Sequence, residues 1–299
     1  MSPPEKSIRT QVEGRELTIS NLEKVFYPST GFTKGQLLDY YARIGPVMLP
    51  HLAGRPLTMK RFPDGVANSS FFEKHAPRHA PEWVKRAAVP SGPEGAPIEY
   101  VVVDDLASLL WVANLGTIEL HVPLWHAGRR RTLPGPPDHM VFDLDPGDGV
   151  GMVACCTVAL AIADELSDRG LACWPKTSGS KGLQLYAPLE GRPTWDRSRH
   201  DAHQIARRLE QALPDLVVSN MKKELRHGKV LIDWSQNHPA KTTVAVYSLR
   251  ARHEPTASTP VTWDEVTECS ERNDAELLRF TADRVIERVE ASGDLFAEV

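Results

Sequence analysis

Along the 299-residue chain the spacing of apolar and polar residues changes period several times, and the changes divide it into elements. After a polar arm, alternation over residues 16–19 predicts a short strand. Thr33 stands as an N-cap before Gln36, Leu37, Leu38, Tyr40 and Tyr41, and their spacing predicts a helix to about residue 44, with Gly45-Pro46 as a stop. Residues 57–62 and 98–103 read as strands, the second preceded by a Pro/Gly-rich link at 90–97 and followed by a helix over 105–115. Residues 117–122 alternate strictly, with Ile118, Leu120 and Val122 on one face and Thr117, Glu119 and His121 on the other.

From Met140 the order of elements becomes informative. Met140-Val141-Phe142 runs as a buried strand into Asp143-Leu144-Asp145, and Pro146-Gly147 ends it. A helix over 150–166, a strand over 171–174, a Gly/Ser loop over 176–182 and a strand over 183–187 follow. A helix over 198–213 and strands near 216–218, over 229–234 and over 241–250 come next. Strand, helix, strand, strand, helix, strand is a split βαβ layout: two helices back a sheet whose other face is open as a site. From Trp263 the chain reads as acidic amphipathic helix, including 276–280 and 285–289. The fold class is therefore α/β of the α+β kind, one domain with an N-terminal αβ module at 15–135, a second module at 138–255 and C-terminal helices at 262–299.

With 41% hydrophobic and 25% charged residues the composition is that of a soluble globular protein. No apolar leader is seen at residues 1–6, and the longest apolar run, 152–163, is too short to span a bilayer, so no membrane partner is expected and the cytoplasm is the expected compartment. Cys155, Cys156, Cys173 and Cys269 form no Cys-x-x-Cys pair and suggest neither zinc nor disulfides. The net charge of −4 speaks against nucleic acid only at first sight. Residues 263–299 carry −7, which leaves the other 262 residues at +3. Basic clusters recur in that body, at Lys60-Arg61, Arg129-Arg130-Arg131, and Lys222-Lys223 with Arg226 and Lys229. Each reads either as a solvated face or as a phosphate site.

Asp143 and Asp145, two apart in a strand, share a face. Two such carboxylates either end a strand in solvent or hold a divalent cation between them. Asp233 ends another apolar strand and supplies a third carboxylate. Lys24 and Lys34 flank the turn that opens the first helix, where backbone N–H groups favour an anion such as a terminal phosphate, but spacing alone favours solvated lysines. Phe71 and Phe72 cannot both face the core of an extended segment, so one could be a stacking platform for a base, or both could pack around a bend. His121 reads as a partner of Glu119 or as a site residue. Lys181 sits in a Gly/Ser loop able to cradle phosphate without the Walker pattern, and Ser248 and Arg250 share a face.

Four ordered motifs, His121-Val122-Pro123-Leu124-Trp125, Val141-Phe142-Asp143-Leu144-Asp145-Pro146-Gly147, Thr177-Ser178-Gly179-Ser180-Lys181-Gly182-Leu183 and Asp233-Trp234-Ser235-Gln236-Asn237, resemble the polymerase domain of bacterial ligase D, in the archaeo-eukaryotic primase superfamily. The likeness runs from the Lys24 turn to about Arg252. It implies the archaeo-eukaryotic primase fold, with the N-terminal αβ module packed on an RRM-like module that carries the aspartates. It also implies a DNA-dependent primase-polymerase that adds ribo- or deoxyribonucleotides to 3' ends at gaps or breaks. In the resemblance Asp143, Asp145 and Asp233 are metal ligands for two divalent ions, Mn²⁺ or Mg²⁺. His121, Ser178, Lys181, Gly182, Gln184, Gln236 and Arg250 are nucleotide contacts. Lys24 and Lys34 grip a 5'-phosphate, Phe71 and Phe72 stack on the template, and Lys60, Arg61 and Arg226 make further DNA or nucleotide contacts. Implied partners are gapped or broken DNA, NTP or dNTP, a separate ligase and Ku; the chain is expected to act as a monomer at a bacterial nucleoid.

One position departs from the family: Gln184 stands where histidine is usual, and glutamine cannot carry the charge of an imidazolium. Two other readings remain beside the polymerase, a catalytically weak DNA-end or gap-binding module and a haloacid-dehalogenase-type phosphatase. The phosphatase pattern wants Thr or Val where Gly147 stands. An EF-hand is excluded, because Ala154 occupies the twelfth position from Asp143.

Overall fold

The computed structural model describes residues 7–91, 95–127, 134–191 and 193–299. The Arg129-Arg130-Arg131 cluster lies outside them. The chain divides into two compact units, one of Met1–Gly135, Val244–Thr256 and Thr281–Gly293, the other of Pro136–Thr243, Ala257–Phe280 and Asp294–Val299.

The first unit opens with two antiparallel pairs, β1 (Ser7–Val12) with β2 (Arg15–Ser20) and β3 (Val25–Tyr27) with β4 (Phe32–Thr33). Helix α1 (Lys34–Leu52) begins in a capping box: Gln36 N donates to Thr33 Oγ1 at 3.3 Å and Thr33 N to Gln36 Oε1 at 2.8 Å. The expected stop at Gly45-Pro46 is not one. The helix runs through Pro46 and Pro50, because Leu37, Leu38, Tyr41, Ile44, Met48 and Leu52 continue one buried stripe across both prolines. Strand β5 (Pro56–Arg61) pairs with β6 (Phe71–Glu73), with β8 (Ile98–Val102), which continues to β7 (Arg86–Val89), and with β9 (Thr117–Val122). Between β8 and β9, α2 (Leu106–Asn114) is capped by Asp105, which accepts from Ser108 N at 2.8 Å, and packs on α1.

In the second unit the sheet order is β11-β12-β10-β14-β13, formed by β10 (His139–Pro146), β11 (Trp174–Thr177), β12 (Leu183–Pro188), β13 (Val217–Val218) and β14 (Val230–Asp233). Helices α3 (Met152–Ser167) and α4 (Trp195–Ala212) pack on it through Cys155, Val158, Ile162, Ile205 and Leu209. The order of elements from β10 is that of the expected split βαβ layout. Strand β11 starts where the expected strand over 171–174 was to end, and Lys176, read as the start of the loop, lies inside it opposite Gln184.

The expected strand over 241–250 is broken. Tyr247 takes a left-handed conformation (φ 65°), leaving only β15 (Thr243–Val244) and β16 (Leu249–Ala251), with β17 (Pro255–Ala257) paired to β16. The acidic segment is also interrupted: α5 (Trp263–Arg272) packs on α3 in the second unit, a 3₁₀ turn covers Ala275–Leu278, and α6 (Ala282–Ser292) packs on α1 in the first. Among the described residues no helix is long and apolar enough to cross a membrane.

Candidate active site

Strand pairing in the second unit builds a polar row across four strands of a largely apolar sheet. Asp143 on β10 lies opposite Asp233 on β14 and opposite Gln184 on β12, and Gln184 lies opposite Lys176 on β11. Lys176 is fully buried; its ammonium donates to Gln184 Oε1 (2.5 Å) and to Ser258 Oγ (2.6 Å). With its carbonyl held by the lysine, Gln184 turns its amide outward, and Nε2 donates to Asp143 Oδ1 at 3.1 Å. Asp145 shares the face of Asp143 and is exposed. Burial, then Asp145, then Asp233 drive the Asp143 carboxyl upward against the Gln184 hydrogen bond, to about 7.

Asp233 is held by its own turn: Oδ1 accepts from Ser235 N (2.9 Å) and Ser235 Oγ (2.6 Å), and Oδ2 from Gln236 Nε2 (3.0 Å). The three carboxylates do not close into a ready-made cage among the described residues. Their chemistry nevertheless fits divalent cations. All ligands are hard oxygens, Asp143 and Asp233 are in register, and the repulsion raising Asp143 is of the kind a cation between carboxylates relieves. Gln236 Oε1, buried beside Asp233 without a hydrogen-bond partner, is a further oxygen.

The loop from β11 to β12 turns back on itself. Ser178 N donates to Gly182 O (2.8 Å), and Ser178 Oγ accepts from the backbone N–H groups of Ser180 and Gly182, both at 3.2 Å. Lys181 projects from its exposed tip. Gly182 is obligatory, since a Cβ there would lie 1.9 Å from Leu144 O in the aspartate strand. Gly147 is likewise obligatory, with Arg226 O 1.8 Å from the position of its Cβ. Arg226 is half-buried, and its Nη2 donates to Met221 O at 2.7 Å.

In the first unit Glu119 organises a cationic cluster. Its carboxylate lies 3.0 Å from His121 Nε2, 3.4 Å from Arg250 Nε and 3.5 Å from Lys60 Nζ. Burial pushes the Glu119 carboxyl up, but the His121 hydrogen bond and the Arg250, His121 and Lys60 charges outweigh it and hold it at about 2. Burial holds His121 below its ordinary value despite Glu119. The face expected to carry Thr117, Glu119 and His121 as polar side chains is thus largely covered, with Thr117 and Glu119 buried, because Glu119 finds partners there.

Phe71 and Phe72 on β6 both stay out of the core, 46% and 59% exposed. Arg61 lies 5.3 Å from the Phe71 ring centre and Lys60 5.5 Å from that of Phe72, while Phe72 meets His121 edge-on at 5.7 Å. Arg61 also binds Glu73 at 2.6 Å. Lys24 binds Asp64 at 2.6 Å, and Lys34 N donates to Lys24 O at 2.8 Å, which brings the two lysines to one turn. Lys34 is buried, its ammonium 3.4 Å from Ser20 Oγ. Lys176 and the central place of Glu119 are what sequence reasoning missed. A lysine at the first position of a Gly/Ser loop carries no sign of burial, and only its position opposite Gln184 reveals it.

The chain matches the family model described as LigD, primase-polymerase domain, over residues 33–296. It is 45% identical over 285 residues to the multifunctional non-homologous end joining protein LigD of Mycobacterium bovis, covering 94% of this chain and 36% of that protein. The bifunctional non-homologous end joining protein LigD of Bacillus subtilis is 31% identical over 279 residues, 93% of this chain and 43% of its own. The chain therefore spans under half the length of these relatives. Among solved structures, the polymerase domain from Mycobacterium tuberculosis ligase D in complex with DNA superposes with a TM-score of 0.87 at 45% identity, over 94% of this chain and 97% of that one.

Proposed function

The chain belongs to the LigD primase-polymerase domain family, and from that premise we propose that it is a DNA-directed nucleotidyltransferase that extends primer 3' ends at gaps or breaks in end-joining repair. The observation that carries the reading is the register that faces Asp143 with Asp233 while Asp145 shares its side. In this reading the three aspartates hold two divalent ions, Mn²⁺ or Mg²⁺, which when bound would activate the 3'-hydroxyl and neutralise charge on the pyrophosphate.

The protein's own groups prepare that reaction. Gln184 fixes one oxygen of Asp143 and acts through it, so its place among the nucleotide contacts is indirect. Lys181 receives the triphosphate as a charge, Ser178 and Gly182 close the turn that presents it, and Gln236 orients Asp233 beside the nucleotide. His121 and Arg250 are nucleotide contacts of the first unit, kept in place by Glu119. Lys24 and Lys34 take the 5'-phosphate, while Phe71 and Phe72, backed by Arg61 and Lys60, stack on template bases. Arg226 contacts nucleic acid next to the Gly147 turn. The fine fold expected of this family, an N-terminal αβ module on an RRM-like module, belongs to the same proposal, as do Ku and a ligase activity as partners in a bacterial cytoplasm.

The test is primer extension on a gapped duplex with a 5'-phosphate, with ribo- and deoxyribonucleotides and Mn²⁺ or Mg²⁺, for wild type and Asp145→Ala. Extension by wild type that vanishes in Asp145→Ala is expected. Gap binding without extension would replace the polymerase with a binding module.

A further inference from the structure

Helix α4 carries six basic side chains, and they fall into two groups. Arg197 and Arg208 are ion-paired, with Asp201 at 3.7 Å and Glu165 at 3.2 Å. Arg199, His200, His203 and Arg207 stand at i, i+1, i+4 and i+8, on a different side of the helix from the buried Ser198, Ala202, Ile205 and Leu209. Among the described residues none of these four forms an ion pair with a carboxylate. Asp196 and Glu210 border the same side, and Glu210 accepts from Ser219 Oγ at 2.5 Å. Arg199, His200 and Arg207 are exposed.

An aromatic ring orders this stripe and ties it to the candidate active site. His203 stacks on Trp234 with ring centres 3.8 Å apart and an interplanar angle of 22°, and the Arg199 guanidinium lies 5.3 Å from the centre of the same ring. Trp234 is itself fixed, its indole N–H donating to Ser219 O at 2.9 Å, and it follows Asp233 directly in the chain. Burial lowers the proton affinity of His203, and Arg207, Arg199 and His200 lower it further against the opposing pull of Glu210, so the positive neighbours outweigh the acid beside them. Cations held together with no acid ion-paired to them repel one another, and their field favours a polyanion.

We propose that the Arg199, His200, His203 and Arg207 stripe of α4 binds the phosphodiester backbone of the DNA duplex leading to the reacting 3' end. The inference rests on the polymerase reading and adds a surface to it. Arg199 and Arg207 are eight residues apart, about 12 Å along the helix, which matches roughly three nucleotides of one strand. Guanidinium and imidazole groups at that spacing meet phosphates and read no sequence.

The experiment measures anisotropy of a labelled primer–template duplex across a salt series, for wild type, two double variants that each remove two charges from the same helix, and a third that keeps the charge. Arg199→Gln/Arg207→Gln should weaken binding and flatten the dependence of log K on log salt by about 1.8, at about 0.9 per phosphate contact. Arg197→Gln/Arg208→Gln should leave that slope as in wild type, and Arg199→Lys/Arg207→Lys should restore most of it, which separates charge from a folding defect. Equal slopes for the two Gln pairs, or an unchanged slope in the stripe variant, would overturn the proposal. An acidic protein as the true occupant would give that second result. Wild type that binds no duplex would instead sink the polymerase reading, and this inference with it.

Discussion

Gln184 joins a buried cation to a carboxylate, and its two ends are not interchangeable: the carbonyl faces Lys176 and the amide faces Asp143. A neutral histidine has the same inventory, one acceptor and one donor, and an ammonium as close as Lys176 disfavours the imidazolium. The departure from the family's usual histidine therefore preserves the hydrogen-bond pattern. Gln184→His is expected to extend primers within a few-fold of wild type, whereas Gln184→Leu, which removes an acceptor from Lys176 and a donor from Asp143, should lose about 2 kcal/mol of stability in urea and most of the extension rate. Glu119→Leu leaves His121, Arg250 and Lys60 without their shared anion, and the expected outcome is a loss of about 3 kcal/mol in urea unfolding with a raised KM for nucleotide. At this scale the sequence was legible where chemistry follows period: Asp143 and Asp145 share a face because strands repeat every two residues. It was silent on Lys176, because a lysine's burial is decided by partners eight and 82 residues away.

The glycines show how elements fix each other's positions. Gly182 brings the loop against the backbone of β10, where nothing can give way; Gly45 brings α1 against the movable Leu106 Cδ1 of α2, 2.8 Å from the position of a Cβ. Gly182→Ala should therefore displace the Lys181 loop and abolish extension, while Gly45→Ala should cost about 1 kcal/mol in thermal or urea unfolding and leave extension intact. Helix starts were readable because caps are local, as Thr33 and Gln36 demonstrate. Helix ends and strand limits were less so. Pro46 is tolerated because a buried stripe continues beyond it, and the strand expected to span Tyr247 breaks at a left-handed residue that no turn signal announced.

For the whole molecule the buried Glu119 and the half-buried Asp143 set opposite slopes of stability against pH. Glu119, held at about 2 from an ordinary 4.5, contributes stability that is full above about 4.5 and lost as pH falls towards 2. Asp143, raised to about 7 from 3.8, is protonated when folded and ionised when unfolded between those values, so stability falls as pH rises through that window. With EDTA present, the melting temperature should be highest near the lower part of that window and decline towards neutrality; Mn²⁺ should reverse the decline in wild type, and Asp143→Asn, which has no carboxyl to ionise there, should lose most of the decline itself. The charge distribution, with −7 in the last 37 residues and +3 elsewhere, was open to reading from the sequence, but which basic residues stand without acidic partners was not, since ion pairing is a property of the folded surface. The row across the second sheet also bears on the order in which the site can form. Lys176 and Gln184 are eight residues apart, Gln184 and Asp143 are 41 apart, and Asp143 and Asp233 are 90 apart. Loop closure favours the shortest span first, so the lysine and glutamine meet in a hairpin before either aspartate is recruited, and the last aspartate arrives when most of the unit is in place. During synthesis the ribosome exposes residue 184 well before residue 233 and residue 258 last, so a nascent chain can pair Lys176 with Gln184 but gains the Ser258 partner of that lysine only after the last aspartate has emerged.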